Sequence, residues 1–151
     1  KKADFVIDTS GQALRKAIES KPLLIKPNFD EISELFGIEF TSKEEIIPYG
    51  KKCLDMGAQY AIVSMGGDGA LFFDGDNVYY APAVKGVLVN SVGAGDSMLA
   101  GFVGSIKSGL EPLEAFKWSV ASGTGTAFCQ DIATKDQIDE IYKKIKIEKL
   151  S

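Results

Sequence analysis

A glycine-rich turn followed directly by an aspartate is the stretch of this sequence best suited to chemistry. Gly93, Ala94 and Gly95 carry little or no side chain, so backbone N–H groups can face a ligand there. The apolar periodicity that follows predicts a helix, whose N-terminal end favours negative charge. Asp96 falls in the first turn of that helix, where its carboxylate can accept a proton. The pattern predicts an anion-binding turn with a general base beside it.

A structural interpretation of the same residues is also open, in which Asp96 caps a helix and the glycines only make a turn. The wider segment, residues 90–103, reads Asn-Ser-Val-Gly-Ala-Gly-Asp-Ser-Met-Leu-Ala-Gly-Phe-Val and resembles the second signature of the ribokinase-like, or PfkB, family of sugar kinases. The resemblance implies that the glycine turn forms an anion hole for the transferring phosphoryl group. It also implies that Asp96 takes the proton from the attacking sugar hydroxyl. Phosphoryl transfer needs positioning and charge stabilisation more than covalent help, so one base and one anion site suffice.

A second polar segment, Lys26-Pro27-Asn28-Phe29-Asp30-Glu31, follows an apolar run. From the residues alone, Asn28 caps the next helix and Glu31 completes a capping box. The segment is also similar to the family's Lys-Pro-Asn-x-x-Glu element. That resemblance implies that Asn28 and Glu31 position magnesium through water, and that Lys26 lies near the nucleotide phosphates. Magnesium gives up its water ligands reluctantly, which suits contacts of this kind.

Two further glycine-rich stretches are assigned to the nucleotide. The residues alone favour a hairpin turn at 65–69 and a close packing contact of a helix at 121–127. Residues 64–71 are similar to the family's Ser-x-Gly-x-x-Gly-Ala-Leu element, and in the family the second stretch lies behind the adenine. The resemblance therefore implies nucleotide contacts for Ser64, Gly66, Gly69, Ser122, Gly123 and Gly125. The sequence has no Gly-x-x-x-x-Gly-Lys motif, which excludes a P-loop enzyme.

The elements that must carry these residues alternate between strands and helices. Short apolar runs predict buried strands at 4–8, 23–26, 60–64 and 70–74, and antiparallel or edge strands at 77–81 and 87–89. Helices are predicted between them, ending at Gly37, Gly57 and Gly109, and capping boxes are predicted for Ser42 with Glu45 and for Thr134 with Gln137. This order predicts an α/β fold with a largely parallel sheet flanked by helices. Ligand sites of such sheets lie beyond the carboxyl ends of the strands.

Composition argues against several other kinds of function. The 151 residues carry a net charge of −4 with dispersed Lys and Arg, so neither nucleic acid nor a membrane surface is an expected partner. The absence of histidine excludes Ser-His-Asp and Cys-His mechanisms. Cys53 and Cys129 lack the spacing of a metal site and are predicted to be buried thiols. Without an apolar run of about 20 residues or a signal-type segment, a cytoplasmic location is expected.

The resemblance covers essentially all of the chain, but only the C-terminal half of a family member. It implies a ribokinase-like fold, in which residues 1–151 are the nucleotide-binding and catalytic part of one kinase domain. Within the family, the sequence is closest to the subgroup of 1-phosphofructokinases and tagatose-6-phosphate kinases. This implies ATP and Mg²⁺, with fructose 1-phosphate as the phosphorylated ketohexose that accepts a phosphoryl group on its 6-hydroxyl.

Three alternatives stay open at this point. The acceptor could be tagatose 6-phosphate or fructose 6-phosphate, because the residues that select the sugar are expected in the other half of the protein. The isolated chain could instead be a nucleotide-binding fragment without catalysis. The resemblance is also compatible with a homodimer of the full-length protein.

Overall fold

The computed structural model describes residues 6–7, 11–75, 77–84, 94–128 and 134–150. The chain divides into two units, the first comprising Lys1–Tyr80 with Lys149–Ser151 and the second Ala81–Glu148. The elements of the described residues are β1 Val6–Ile7, α1 Gly11–Ile18, β2 Leu24–Ile25, α2 Phe29–Phe36, α3 Lys43–Met56, β3 Tyr60–Ser64, β4 Ala70–Asp74, β5 Asn77–Ala81, α4 Ala94–Lys107, α5 Pro112–Phe128, α6 Lys135–Lys144 and β6 Glu148–Lys149. The predicted strand at 87–89 lies outside the described residues.

The described strands form one sheet in the order β1-β2-β3-β4-β5-β6. β2 is parallel to both β1 and β3, whereas β3 pairs antiparallel with β4, from Tyr60 opposite Asp74 to Ser64 opposite Ala70. The prediction of a largely parallel sheet is therefore wrong, because the sheet is mixed. The physical reason is the connection: a single 3₁₀ turn, Gly66–Asp68, joins β3 to β4. So short a link can only return the chain antiparallel, while parallel neighbours need a helical crossover such as α1.

The core of the first unit lies between the sheet and helices α1, α2 and α3. Helix α3 lies directly on the sheet at Gly50, where an added Cβ would overlap the ring of Phe73. Cys53 of the same helix is buried, as predicted, and burial raises the pKa of its thiol to about 12. Cys129 lies outside the described residues. The buried residues of this core include Leu14, Ile18, Ile25, Ile32, Leu35, Ile46, Cys53, Ala61, Val63, Leu71 and Phe73.

Most helix ends follow the local sequence signals. Gly37, Gly57 and Gly109 end helices with φ of 66°, 141° and 89°, as predicted, and the capping box of Thr134 and Gln137 is present. The box predicted for Ser42 and Glu45 is wrong, since the Ser42 side chain makes no cap hydrogen bond. Glu45 reaches one residue further back, where the N–H and hydroxyl of Thr41 both donate to Oε1, at 2.7 and 3.0 Å.

The second unit is built from α4, α5 and α6. Helices α4 and α5 pack against each other and bury Leu99, Phe102, Phe116, Val120 and Ala121. Helix α6 packs on α5, where the rings of Trp118 and Tyr142 stack with centroids 3.9 Å apart. Across the described ranges, no helix is both long and apolar enough to cross a membrane.

Candidate active site

The carboxyl ends of β2 and β3 bring two of the predicted segments together. The N–H of Ser64, the last residue of β3, donates to the carbonyl of Pro27 at 3.1 Å. Asn28 and Ser64 also form an isolated parallel bridge. Lys26 lies at the same edge and is only 6% exposed, which is unusual for a lysine. Segments that are distant in sequence thus become neighbours because their strands are parallel and adjacent.

The side chains of Asn28 and Glu31 form the capping box that begins α2. Asn28 Oδ1 accepts from the N–H of Glu31 at 2.8 Å, and Glu31 Oε1 accepts from the N–H of Asn28 at 2.8 Å. The structural interpretation of these two residues is therefore confirmed. It does not exclude the second role, because a carboxylate has two oxygens that can each accept several hydrogen bonds.

The same two residues fit magnesium by the chemistry of their donor atoms. Amide and carboxylate oxygens are hard ligands, and magnesium keeps several waters that such oxygens can bind. Within the described ranges, no three His, Cys, Asp or Glu side chains are grouped closely enough to hold a metal ion directly. Action of Asn28 and Glu31 on magnesium through water, which the family resemblance implies, stays a prediction.

The glycine turn after β3 is a hairpin, as the residues alone favoured. Three backbone hydrogen bonds close it, from Met65 N–H to the Gly69 carbonyl (2.8 Å), from Asp68 N–H to the Met65 carbonyl (3.0 Å) and from Gly69 N–H to the Gly66 carbonyl (3.1 Å). Positions 66 and 69 require glycine, since their φ values are 57° and 93°. Gly66 is exposed, with open space where a Cβ would lie, so a ligand could approach its backbone closely. Nucleotide contact at Ser64, Gly66 and Gly69 stays a prediction.

Sequence reasoning missed one residue at this turn. The hydroxyl of Tyr80, on β5, donates to the carbonyl of Asp68 at 2.8 Å. Strand alternation places Tyr80 on the same face as the buried Val78. The alternation along β5 can be read from the sequence. The closeness of Tyr80 to the turn, however, depends on how the strands pair. Tyr80 thus ties the turn to a strand that does not border it in sequence.

Asp96 lies in the first turn of α4, as the sequence predicts, and it is exposed. The helix begins at Ala94, so Ala94 and Gly95 belong to its first turn, where backbone N–H groups lack partners within the helix. Gly93 lies outside the described residues. An exposed carboxylate beside free helical N–H groups can serve as a base next to a bound anion, and this role also stays a prediction.

The small residues of α5 lie against α4. The Ser97 and Thr126 hydroxyls are 2.7 Å apart, and the Ser119 hydroxyl donates to the Met98 carbonyl at 2.8 Å. Where α4 passes Ser122, a Cβ on Gly101 would lie 2.8 Å from the serine Oγ. The packing interpretation is confirmed at Ser122. The adenine contact of Ser122 and of the buried Gly123 and Gly125 stays a prediction.

Comparison with known proteins adds evidence independent of this geometry. Residues 1–138 match the model of the pfkB family carbohydrate kinases. The chain is 49% identical over 148 residues to the 1-phosphofructokinase of Bacillus subtilis, covering 98% of this chain and 49% of that protein. It is 38% identical over 150 residues to the D-tagatose-1-phosphate kinase of Bacillus licheniformis, covering 99% of this chain and 49% of that protein.

The fold is also shared with a solved structure. A candidate phosphofructokinase from Staphylococcus aureus superposes with a TM-score of 0.93 at 42% identity, covering 99% of this chain and 49% of that one. The chain therefore spans about half the length of the relatives that it matches.

Proposed function

This chain belongs to the pfkB family of carbohydrate kinases, and on that premise we propose that the full-length protein transfers the γ-phosphoryl group of ATP to the 6-hydroxyl of fructose 1-phosphate. The products are fructose 1,6-bisphosphate and ADP. The single observation that carries the proposal is the 49% identity with a 1-phosphofructokinase over 98% of this chain. The activity is assigned to the full-length protein, because the chain spans 49% of that relative.

Asp96 is the proposed base. Its carboxylate takes the proton of the 6-hydroxyl while the hydroxyl oxygen attacks the γ-phosphorus and ADP departs. The location of Asp96, exposed in the first turn of α4, supports this role because the side chain is accessible. The N–H groups of Gly93, Ala94 and Gly95 are proposed to stabilise the negative charge on the transferring group, the kind of interaction from which phosphoryl transfer gains most.

Two groups of residues are assigned to the nucleotide. Lys26 is proposed to lie near its phosphates, and Ser64, Gly66 and Gly69 are proposed to contact the nucleotide. The adjacency of Asn28 and Ser64 at one sheet edge supports a shared role for the two segments. Ser122, Gly123 and Gly125 are proposed to contact the adenine. Asn28 and Glu31 would hold magnesium through water, and the ion would neutralise phosphate charge.

A substrate panel on the full-length protein tests the proposal. ADP formation is measured with fructose 1-phosphate, tagatose 1-phosphate, tagatose 6-phosphate and fructose 6-phosphate, and phosphorus NMR locates the new phosphate ester. We expect the highest kcat/KM for fructose 1-phosphate, with the new ester on carbon 6. The Asp96→Asn variant, purified identically, controls for contaminating kinases. Absence of ADP formation with all four sugars would contradict the proposal.

A second candidate acceptor is tagatose 1-phosphate. The 38% identity with a D-tagatose-1-phosphate kinase over 99% of this chain favours it specifically. Tagatose and fructose 1-phosphates differ only in configuration at carbon 4, so the same 6-hydroxyl would attack in both. The ratio of the two kcat/KM values decides between them.

A further inference from the structure

We infer that Tyr80 is a positioning residue for the nucleotide, because its hydroxyl holds the turn between β3 and β4 in the conformation that binds ATP. The inference rests on the proposed nucleotide contacts of Ser64, Gly66 and Gly69. It adds a residue from β5 that touches none of the atoms assigned to the substrate. Its role would be exerted through the backbone of Asp68.

The hydrogen bond from Tyr80 differs in kind from the others at this turn. The three backbone bonds of residues 65–69 close the turn on itself. The bond from Tyr80 to the Asp68 carbonyl, at 2.8 Å, instead connects the turn to another strand and spans twelve positions of sequence. It therefore restrains the direction in which the whole turn projects from the sheet.

The tyrosine is itself held in place. Its ring is partly buried against the core of the first unit. The ammonium group of Lys43, at the start of α3, lies 4.7 Å from the ring centroid and 3.1 Å from a carboxylate oxygen of Glu44. Strand, ring and cation together orient the hydroxyl before any ligand arrives, so the restraint on the turn is preorganised.

Such a restraint matters because the turn depends on two glycines. Gly66 and Gly69 have positive φ values, and glycine exchanges readily among several backbone conformations. If only a fraction of molecules holds the binding conformation, the apparent dissociation constant for the nucleotide rises by the inverse of that fraction. Loss of one net hydrogen bond corresponds to a change of about threefold to tenfold in such an equilibrium.

The test compares Tyr80→Phe with Tyr79→Phe in the full-length protein. Tyr79 is a matched control, because it is the neighbouring tyrosine of β5 and its ring stacks on Phe72 at 6.2 Å. Strand alternation points it to the other face. We expect Tyr80→Phe to raise the KM for ATP about threefold to tenfold, with kcat and the KM for the sugar phosphate unchanged and Tm lowered by only a few degrees. Tyr79→Phe should match the wild type in all four quantities.

Hydrogen exchange gives a readout that does not depend on activity. The N–H groups of Asp68 and Gly69 donate within the turn, so they should exchange faster in Tyr80→Phe and at the wild-type rate in Tyr79→Phe. ATP protects both amides if the turn binds the nucleotide. Unchanged exchange in Tyr80→Phe would overturn the inference, because the hydroxyl would then not restrain the turn.

A third variant, Gly69→Ala, separates failure of this inference from failure of the proposed function. At a φ of 93° an alanine is strained, so the turn must change. If Gly69→Ala raises the KM for ATP and Tyr80→Phe does not, the inference is overturned and the nucleotide assignment stands. If neither variant changes that KM, the nucleotide assignment of the turn fails and the inference with it. A lowered Tm with an equal rise in both KM values in Tyr80→Phe would show a general structural role and would also overturn the inference.

Discussion

The two carboxylates of the proposed site, those of Glu31 and Asp96, differ in the contacts that they already make within the protein. Glu31 accepts a backbone hydrogen bond at the start of α2, and its cap is complete without any ligand. Asp96 is exposed in the first turn of a helix whose Ser97 is anchored on α5. A substitution at Glu31 can therefore act through stability as well as chemistry, whereas one at Asp96 should act through chemistry.

Asp96→Asn should keep nucleotide binding and Tm but lower kcat by about 10²- to 10⁴-fold, because the amide cannot accept the proton of the attacking hydroxyl. Steady-state kinetics of the full-length protein measure this. Asp136→Asn is the matched control, since Asp136 is likewise exposed in the first turn of a helix. It should leave kcat unchanged. A turnover of Asp96→Asn within about tenfold of the wild type would remove the assignment of the base.

Glu31→Gln separates charge from capping. Glutamine can replace glutamate in a capping box, so Tm should change little. The loss of negative charge should weaken activity most at low magnesium concentration, with partial recovery as magnesium rises. The measurement is a magnesium titration of kcat/KM, with Tm of Glu31→Ala as the reference for a lost cap. An effect of equal size at every magnesium concentration would favour capping as the sole role.

Two glycines lie at close contacts between neighbouring elements. Gly50 of α3 faces the ring of Phe73, and Gly101 of α4 faces Ser122 of α5. At each contact the helix contributes no side chain, so its backbone lies directly against a side chain of the neighbouring element. The candidate base on α4 and the small residues of α5 therefore depend on close packing of two helices rather than on a loop.

Gly50→Ala should destabilise the full-length protein by about 1–3 kcal/mol, because the new methyl group would overlap a buried ring that has little room to move. Gly104→Ala, in the middle of α4, is the opposite case, since nothing lies within 4 Å of its Cβ position. There the helical preference of alanine should stabilise by about 0.5–1 kcal/mol. Denaturant unfolding measures both. A Gly50→Ala variant as stable as the wild type would contradict the contact at Phe73, and a destabilised Gly104→Ala would contradict the open space at that position.

What the isolated chain can do is limited, because it represents about half the length of its relatives. It spans 49% of the Bacillus subtilis relative, and β1 is at one end of the strand order in the described residues. An uncovered strand edge is a template for pairing with another chain. Phosphoryl transfer also draws on holding both reactants together, which contributes about 7–11 kcal/mol.

The isolated 151-residue chain should therefore fold as an α/β unit, bind ATP weakly and fail to phosphorylate fructose 1-phosphate at a useful rate. Sedimentation should show association that increases with concentration. A coupled assay beside an ATP titration, with the full-length protein as the positive control, distinguishes a catalyst from a nucleotide-binding fragment. A monodisperse monomer that turns over at about 1–100 per second would contradict this expectation.

Local features of this protein were determined by the sequence alone. The capping box of Asn28 and Glu31, the hairpin after β3 and the helix ends at Gly37 and Gly57 all follow from residues a few positions apart. Such features depend on backbone dihedral preferences and hydrogen bonds within one turn of chain, so neighbouring residue types specify them. The position of Asp96 at a helix start belongs to the same class, although its proposed chemistry came from the family resemblance.

Tertiary structure determined the contacts between segments that are distant in sequence. The order of the strands in the sheet, the bond from Tyr80 to Asp68 and the contact of Gly50 with Phe73 were not predicted. The Glu45 carboxylate accepts from Thr41 instead of completing the predicted box with Ser42, because donors of both residues lie within its reach. Strand direction, register and helix approach depend on which apolar faces pack together, and many local sequences are compatible with each arrangement. The energies that select among them arise only when the whole core is assembled.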